Sequence, residues 1–241
     1  MATAGGPKII TRGLKFYIDS SNVKSYVSGS VNWYDLLQKN YHMTINAGET
    51  VNTTLANAPV LFFDGQQGSY TTWSGPQLTS PGIFDQSSFS YVVVAYASSL
   101  NGPDVGDYAR AIETGGFPNS FFISQWNSGS KSISFSGEDD NQQTFGIGTA
   151  NNAIDIDQWF FFTGVLDREA GKERTYLNGS LQAEENLTAG FQGMNPTGSF
   201  RIPSSYNEYP GAIALTMLYE RALTSAEVAH NYRALKARFG L

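Results

Sequence analysis

Apolar and polar positions alternate with a period of two along most of the chain, which is the pattern of β-strands with one buried face. Over residues 14–19 and 132–136 every second side chain is apolar, and the residues between are mainly polar. Residues 89–97 and 159–166 are apolar on both faces, so we predict strands covered on both sides. Residues 212–219 predict one more alternating strand. The pattern therefore predicts an all-β protein.

The strongest local signal for a turn is Asn178-Gly179, which lies inside the strand-like segment 175–181. Both residue types tolerate the positive φ angles that a tight type I′ turn requires. We therefore predict a β-hairpin centred on these two residues.

The last twenty residues change to a helical pattern. Thr224 followed by Glu227 predicts a capping box, in which each side chain binds the other residue's backbone N–H group. One apolar stripe at helical spacing follows, and basic residues and Gly240 then mark the end of the helix. The stripe consists of Val228, Tyr232, Leu235 and Phe239. His230 lies off this stripe, so we expect it to be exposed. We expect the helix to pack against the β-sheets.

Composition supports one soluble domain of many short strands. The chain has 241 residues, 25 glycines, 14% aromatic and 15% charged residues, and no linker or repeat divides it. We predict a single domain over residues 9–241, preceded by a flexible arm over residues 1–8. Residues 74–82 and 101–106 are expected to be long loops, and residues 46–58 follow no interpretable pattern.

Charge and cysteine content exclude several functions. The net charge is −6, and no basic stripe is present that would favour nucleic acid as a partner. The absence of cysteine excludes disulfides, thiol catalysis and cysteine-based metal sites. We expect no signal peptide, because residues 1–7 are small and Gly-rich and no apolar stretch follows a basic head. We expect no membrane insertion, because no apolar run approaches about 20 residues.

Several segments form an ordered series between residue 13 and residue 241. They are residues 13–19, 33–36, 61–65, 89–95, Trp159, the Tyr176-Leu177-Asn178-Gly179 hairpin, 211–213 and 219–227. Together these segments resemble laminin-G-like domains of the concanavalin A-like lectin/glucanase superfamily. The resemblance implies a jelly-roll β-sandwich of two antiparallel sheets with a short C-terminal α-helix.

Residues 231–241 are similar to versions of this domain found in structural proteins of tailed bacteriophages. That resemblance implies a virion component, such as a capsid decoration or fibre-type subunit, made in the host cytoplasm. Other virion proteins would then be partners. We expect a homo-oligomer, and a trimer in particular, because trimers match the threefold positions of an icosahedral shell.

The superfamily includes glucanases as well as lectins, so the resemblance is compatible with a catalytic function. Those enzymes carry Glu-x-Asp-x-Glu or a close variant on one strand. The nearest match here begins with Glu138, Asp139 and Asp140 but lacks the second glutamate, so we interpret it as a solvated loop. The same aspartates with backbone carbonyls would suit a surface Ca²⁺ only weakly, and no cofactor is predicted. His42 and His230 are not accompanied by a nucleophile motif. The sequence therefore predicts no enzyme.

Glycan binding without catalysis is a more specific alternative to an enzyme function. Sugars bind to exposed aromatic faces that are flanked by polar side chains. Trp33 and Trp159 lie in or beside predicted strands and are assigned to the core. The candidate ligand-binding residues lie in turn-like contexts and are Trp73, Trp126, Tyr206, Asn207 and Tyr209.

The sequence is compatible with three functions. The first is a non-enzymatic virion structural protein. The alternative is a carbohydrate-binding adhesion or receptor-recognition module that contacts cell-surface glycans. The third is a glycoside hydrolase with degenerate motifs, and only this one is disfavoured by the residues themselves.

Overall fold

A computed structural model describes residues 8–38, 40–46, 49–52, 59–65, 68–74, 87–97, 108–116, 119–127, 129–191, 193–194, 200–204 and 209–241. Within these residues the chain forms strands and one C-terminal helix, α1 (Ser225–Phe239). In chain order the strands are β1 (Leu14–Asp19), β2 (Asn32–Tyr34), β3 (His42–Ile45), β4 (Glu49–Asn52), β5 (Val60–Asp64), β6 (Thr71–Trp73), β7 (Phe89–Ala97), β8 (Tyr108–Gly116), β9 (Asn119–Asn127), β10 (Ser132–Glu138), β11 (Thr144–Gly148), β12 (Trp159–Asp167), β13 (Lys172–Leu177), β14 (Ser180–Asn186) and β15 (Pro210–Tyr219).

The strands form two antiparallel layers. The back sheet has the order β14-β13-β12-β7-β15-β5-β4, and β1 pairs with the second half of β15. The front layer contains β11-β10-β9-β8 and β2-β3-β6. A bulge between Ile213 and Leu215 lets β15 pair with β5 in its first half and with β1 in its second. The architecture is a β-sandwich, as the alternation pattern predicts.

Strand β7 shows why its sequence is apolar on both faces. Phe89, Tyr91, Val93 and Ala95 lie in the core between the two sheets. Val92 and Val94 lie in a second buried cluster on the outer face of the back sheet. The prediction of a strand covered on both sides is confirmed.

Helix α1 covers that outer face of the back sheet. Glu227 N–H donates to Thr224 Oγ1 at 3.3 Å and Thr224 N–H donates to Glu227 Oε2 at 3.0 Å, which confirms the capping box. The helix ends at Gly240, which has a φ of 72°. Val228, Leu235 and Phe239 are buried in the second cluster, and Tyr232 packs partly buried against it. The described part of the chain contains no helix long and apolar enough to cross a bilayer.

The N-terminal segment docks on the same helix. Asn231, which the apolar stripe does not include, is buried and accepts a hydrogen bond from Ile10 N–H at 2.8 Å. Tyr219 O–H donates to Ile10 O at 2.9 Å, and His230 Nε2 lies 2.7 Å from Lys8 O. His230 is half-buried here rather than exposed, because it holds the docked segment. Residues 1–7 of the predicted arm lie outside the described residues.

The hairpin predicted at Asn178-Gly179 joins β13 to β14, and its two residues have φ angles of 49° and 78°. The type I′ prediction is confirmed. The loop predicted over residues 74–82 lies outside the described residues apart from Ser74, as does all of the loop predicted over 101–106. Part of the uninterpreted segment 46–58 forms β4, which pairs with β5 at the edge of the back sheet.

Candidate functional site

The outer face of the front layer is the candidate functional site. Helix α1 and the segment from Ile9 to Leu14 pack on the outer face of the back sheet. On the front layer, Trp33, Met43 and Phe135 point into the core, while their neighbours along each strand point outward and are polar. We refer to this outward-facing surface as the front face.

A polar row crosses the front face from strand to strand. Asn32 pairs with Thr44, Thr44 with Thr72, Thr72 with Arg201, and Arg201 with Glu113. Directly paired residues lie on the same side of a sheet, so these five side chains share the front face. The same line of pairing continues through β9 into the serine-bearing face of β10.

A cluster of charged residues lies in the middle of this row. Arg110 Nη1 lies 3.5 Å from Glu113 Oε2, and Arg201 Nη1 lies 3.5 Å from Glu113 Oε1. Ser204 O–H also donates to Glu113 Oε2. The Arg201 guanidinium lies over the ring of Tyr70, with its carbon 5.7 Å from the ring centre. We call Arg110, Glu113, Arg201 and Ser204 the arginine cluster.

Residues 200–204 bring this cluster together by acting as a short bridging segment between β6 and β8. Trp73 N–H donates to Phe200 O at 3.0 Å. Arg201 exchanges two backbone hydrogen bonds with Glu113, at 2.9 and 3.1 Å, and Ser204 N–H donates to Arg110 O. The front layer is therefore continuous across all seven strands. The sequence does not reveal this cluster, because its residues are about ninety positions apart and residues 200–204 carry no strand pattern.

Two of the sequence-predicted glycan residues are not exposed. Trp126 is 1% exposed and stacks on Phe160 at a centroid distance of 6.1 Å. Tyr209 is 0% exposed in the core between the sheets. The expectation of exposed rings is wrong for both, because each lies in or beside a strand with its ring directed into the sandwich.

The other predicted glycan-binding residues, and the two tryptophans assigned to the core, differ in their burial. Trp73 is half-buried, and its ring packs edge-on against Phe16 at 5.2 Å and in a tilted orientation against Tyr41 at 5.9 Å. Tyr206 and Asn207 lie outside the described residues. The core assignment is confirmed for Trp33, which is fully buried. Trp159 is partly buried and packs against Phe239 of the helix at 5.2 Å, so it belongs to the second cluster.

The acidic segment at residues 138–140 covers the end of β10 and the start of the turn to β11. Asp139 is fully buried, unlike the solvated loop residue that we expected. Its Oδ1 accepts hydrogen bonds from Asn141 N–H and Gln143 N–H, both at 2.8 Å, so the carboxylate stabilises the turn. In the described part of the chain no three His, Asp or Glu side chains are grouped closely enough to hold a metal ion.

A cleft lies on the opposite side of the molecule. It has a volume of about 520 Å³ and lies between the outer face of β12–β14 and the start of α1. Arg174 crosses it and donates to Asp167 Oδ2 at 2.9 Å and to Glu184 Oε2 at 2.6 Å. Tyr176 and Ser225 hydroxyls are joined at 3.0 Å.

The polar groups of this cleft mostly bind one another. The hydrogen bond from Arg174 lowers the pKa of Glu184. Two short charge-assisted bonds occupy the guanidinium, so few donors of Arg174 remain for a ligand. The cleft therefore fastens the hairpin to the sheet and helix, and the front face is the better candidate for recognition.

A family model described as concanavalin A-like lectin/glucanases superfamily matches residues 79–229, which is more than half of the chain. No curated protein sequence matches the chain. The fold implied by the sequence resemblance is confirmed by this match and by solved structures.

Among solved structures, the binding domain of Paraclostridial Mosquitocidal Protein 1 is similar with a TM-score of 0.70 at 14% identity. The match covers 91% of this chain and 52% of that one. The botulinum neurotoxin serotype G binding domain is similar with a TM-score of 0.67 at 17% identity, covering 90% and 50%. The chain thus spans about half the length of these structures. Similarity at such identities concerns the fold.

Proposed function

Since the chain belongs to the concanavalin A-like lectin/glucanase superfamily, we propose that it is a non-enzymatic module that recognises carbohydrate on a receptor or cell surface. We propose that the front face is its binding surface. Fold alone does not determine function, so the proposal depends on the site.

The observation that carries the proposal is the polar row across the front face. It presents side-chain amide, hydroxyl, guanidinium and carboxylate groups from Asn32, Thr44, Thr72, Arg201 and Glu113. Saccharide hydroxyls both donate and accept hydrogen bonds, so a surface that mixes donors and acceptors suits them. The similar solved structures are binding domains of other proteins, which supports the same kind of function.

A glycan array that carries neutral, carboxylated and sulfated saccharides tests this proposal. We expect the protein to bind a defined subset of the array and expect added free saccharide to compete. Absence of binding to every saccharide would overturn the proposal.

The non-enzymatic part of the proposal rests on the state of the acidic residues. Asp139 is committed to its turn, and Glu113 is held by two guanidiniums and a hydroxyl. Hydrolysis of a glycosidic bond needs two carboxyl groups flanking the bond, one of them able to donate a proton. We expect no reducing sugar to be released from β-glucans, galactans or alginates. Release that Glu138→Gln abolishes would contradict this.

A virion location is a second proposal, favoured by the similarity of residues 231–241 to phage structural proteins. It is compatible with glycan recognition, because a module on a particle surface can contact a host glycan. Mass spectrometry of purified particles would test it, and absence of the chain from the particles would overturn it.

A further inference from the structure

We propose that the arginine cluster makes the front face selective for acidic saccharides, which carry a carboxylate or a sulfate. This inference rests on the proposed function, because it names the class of ligand for the same face. Arg201 would bind the oxyanion, with the positive charge of Arg110 nearby, and the uncharged residues of the polar row, Asn32, Thr44 and Thr72, would bind the sugar hydroxyls beside it.

The first argument is the local charge. Arg110 and Arg201 carry two positive charges and Glu113 carries one negative charge, so the cluster is positive although the chain carries a net charge of −6. The side chains of the three residues are 16%, 26% and 13% exposed, which leaves them reachable but poorly hydrated. A charge interaction is stronger in such a site than in bulk water.

The second argument is unused hydrogen-bonding capacity. Arg201 Nη1 approaches Glu113 Oε1 at 3.5 Å, whereas a tight contact between a guanidinium and a carboxylate is about 2.8 Å. Arg201 Nε–H is shielded from solvent and has no hydrogen-bond partner among the described residues. Because a guanidinium has five N–H donors in a planar fork, Arg201 retains donors that fit a second oxyanion.

The third argument is that Arg201 is held in place before any ligand binds. Backbone hydrogen bonds fix the residue to Glu113, and its guanidinium lies over the ring of Tyr70. Ser204 O–H holds Glu113 from the other side. Pre-organisation lowers the entropy that binding must overcome, so the cluster is suited to a specific ligand rather than to loose ion pairing.

The opposite cleft gives a useful contrast. In that cleft the guanidinium of Arg174 is bound tightly by the carboxylates of Glu184 at 2.6 Å and Asp167 at 2.9 Å. Glu169 adds a further carboxylate to the lining of the cleft. An oxyanion would be repelled there. Of these two sites, the front face is therefore the one suited to an acidic saccharide.

The experiment compares saccharides that differ only in the acid. Trigalacturonate and its methyl ester share one backbone, and array arms with carboxylated and with sulfated oligosaccharides distinguish the two oxyanions. We expect acidic members to bind about tenfold more tightly than their neutral counterparts, which is the effect of one good charge-assisted contact. Equal affinity for acid and ester would overturn the inference and leave the proposed function standing.

Variants assign the effect to the cluster. We expect Arg201→Gln to remove most of the preference for the acidic saccharide and Arg201→Lys to restore it only in part, because lysine keeps the charge and loses the fork. Arg233→Gln, on an exposed position of α1, makes the same change in net charge and should have no effect. Equal losses in Arg201→Gln and Arg233→Gln would overturn the inference.

A substitution that is expected to increase the affinity distinguishes a local effect on binding from a general folding defect. Glu113→Gln removes the negative charge that competes with a bound oxyanion, so we expect it to raise the affinity for the acidic saccharide. The affinity for the neutral counterpart should change little. A lower affinity for the acid in this variant, with an unchanged melting temperature, would also overturn the inference.

Discussion

At the scale of single residues, Glu173 is a buried carboxyl group that lies where β13 of the back sheet meets β11 of the front layer. It lies on β13 with 4% exposure, and its carboxyl group accepts a hydrogen bond from Gly146 N–H at the edge of β11. Burial and the nearby Glu185 raise the pKa of Glu173 to about 7. Thr175 on the same strand donates to Gly148 O, so β13 holds the free edge of the front layer.

The raised pKa of Glu173 predicts a pH dependence of stability. The folded state favours the protonated carboxyl. The contribution of Glu173 to the free energy of unfolding is therefore present below pH 4.5 and is lost as pH rises through about 7. Each pKa unit corresponds to about 1.4 kcal/mol, so we expect a loss of about 2 to 3 kcal/mol across that range. Urea unfolding of the wild type and of Glu173→Gln at pH 5 and pH 8 measures it.

Glu173→Gln cannot ionise, so it should lack this loss and be more stable than the wild type at pH 8. Glu185→Gln controls for the removal of a nearby charge from the neighbouring strand and should retain most of the pH dependence. An identical pH dependence in the wild type and Glu173→Gln would contradict the assignment.

Residue type and sequence context could not separate core aromatics from surface aromatics. Trp126 and Tyr209 are next to turn-like segments in the sequence, yet both rings lie in the core. The side of a sheet on which a residue lies depends on strand register, and one residue of shift reverses it. Register in β8–β9 and β15 is altered by bulges that leave no clear sequence signal.

At the scale of elements, the β13–β14 hairpin and α1 depend on each other. Gly179 has a φ of 78°, and a Cβ atom at this position would lie 2.9 Å from Tyr232 Cδ1 of the helix. Gly179→Val therefore combines backbone strain with a clash, and we expect a cost of more than about 1 kcal/mol. Thermal or urea unfolding measures it.

Gly190→Val is the matched control, because Gly190 has a φ of 84° and nothing lies within 4 Å of its added Cβ atom. It should cost less than Gly179→Val. Adding Tyr232→Ala to Gly179→Val should recover part of the difference. Equal costs for the two valine variants would show that the hairpin does not contact the helix in solution.

The first turn of α1 gives another prediction. Glu227 completes the capping box and binds Arg221 at 2.7 and 2.8 Å, and these bonds lower the pKa of Glu227 to about 2. We expect Glu227→Ala to destabilise the protein by about 1 to 2 kcal/mol at pH 7. The stabilisation that the Glu227 carboxylate provides should disappear as pH falls from 4.5 through 2, because the pKa of Glu227 is lowered in the folded state.

Glu220→Ala is the control for Glu227→Ala. Glu220 pairs with Lys15 in a bridge whose side chains are 47% and 46% exposed, and such a surface pair contributes little. The unfolding midpoints of both variants, measured by circular dichroism, provide the comparison. A cost for Glu220→Ala as large as that for Glu227→Ala would contradict the assigned role of the capping box.

Elements with strong local signals were predictable from sequence, and others were not. Strand β7, the Asn178-Gly179 turn and α1 follow from periodicity, turn chemistry and capping. The three-residue strands β2 and β6 are too short to show periodicity, and neighbouring strands stabilise them.

At the scale of the whole molecule, the front layer depends on contacts between distant parts of the chain. Residues 200–204 join β6 to β8 and place Arg201 beside Glu113. Local patterns contain no information about such a long-range bridge. The fold class could therefore be predicted from the sequence, whereas the arginine cluster required coordinates.

Assembly is a further prediction at this scale. Neutral polar surfaces suit wet contacts between copies, and identical copies favour closed symmetry. We expect the intact chain to form a trimer in light-scattering measurements and expect removal of residues 1–7 to weaken it. The truncated chain keeps Lys8 and Ile10, which contact α1, so its melting temperature should not change. A monomer at high concentration that also fails to bind phage particles would contradict the structural role.

The most direct test of the front face as the recognition surface is an NMR titration of the labelled protein with the saccharide that the glycan array identifies. We predict that amide shifts concentrate at Thr44, Thr72, Glu113, Arg201 and Ser134, which lie on the front face. Shifts confined to the opposite cleft around Arg174 and Ser225, or no saccharide that binds at all, would contradict it.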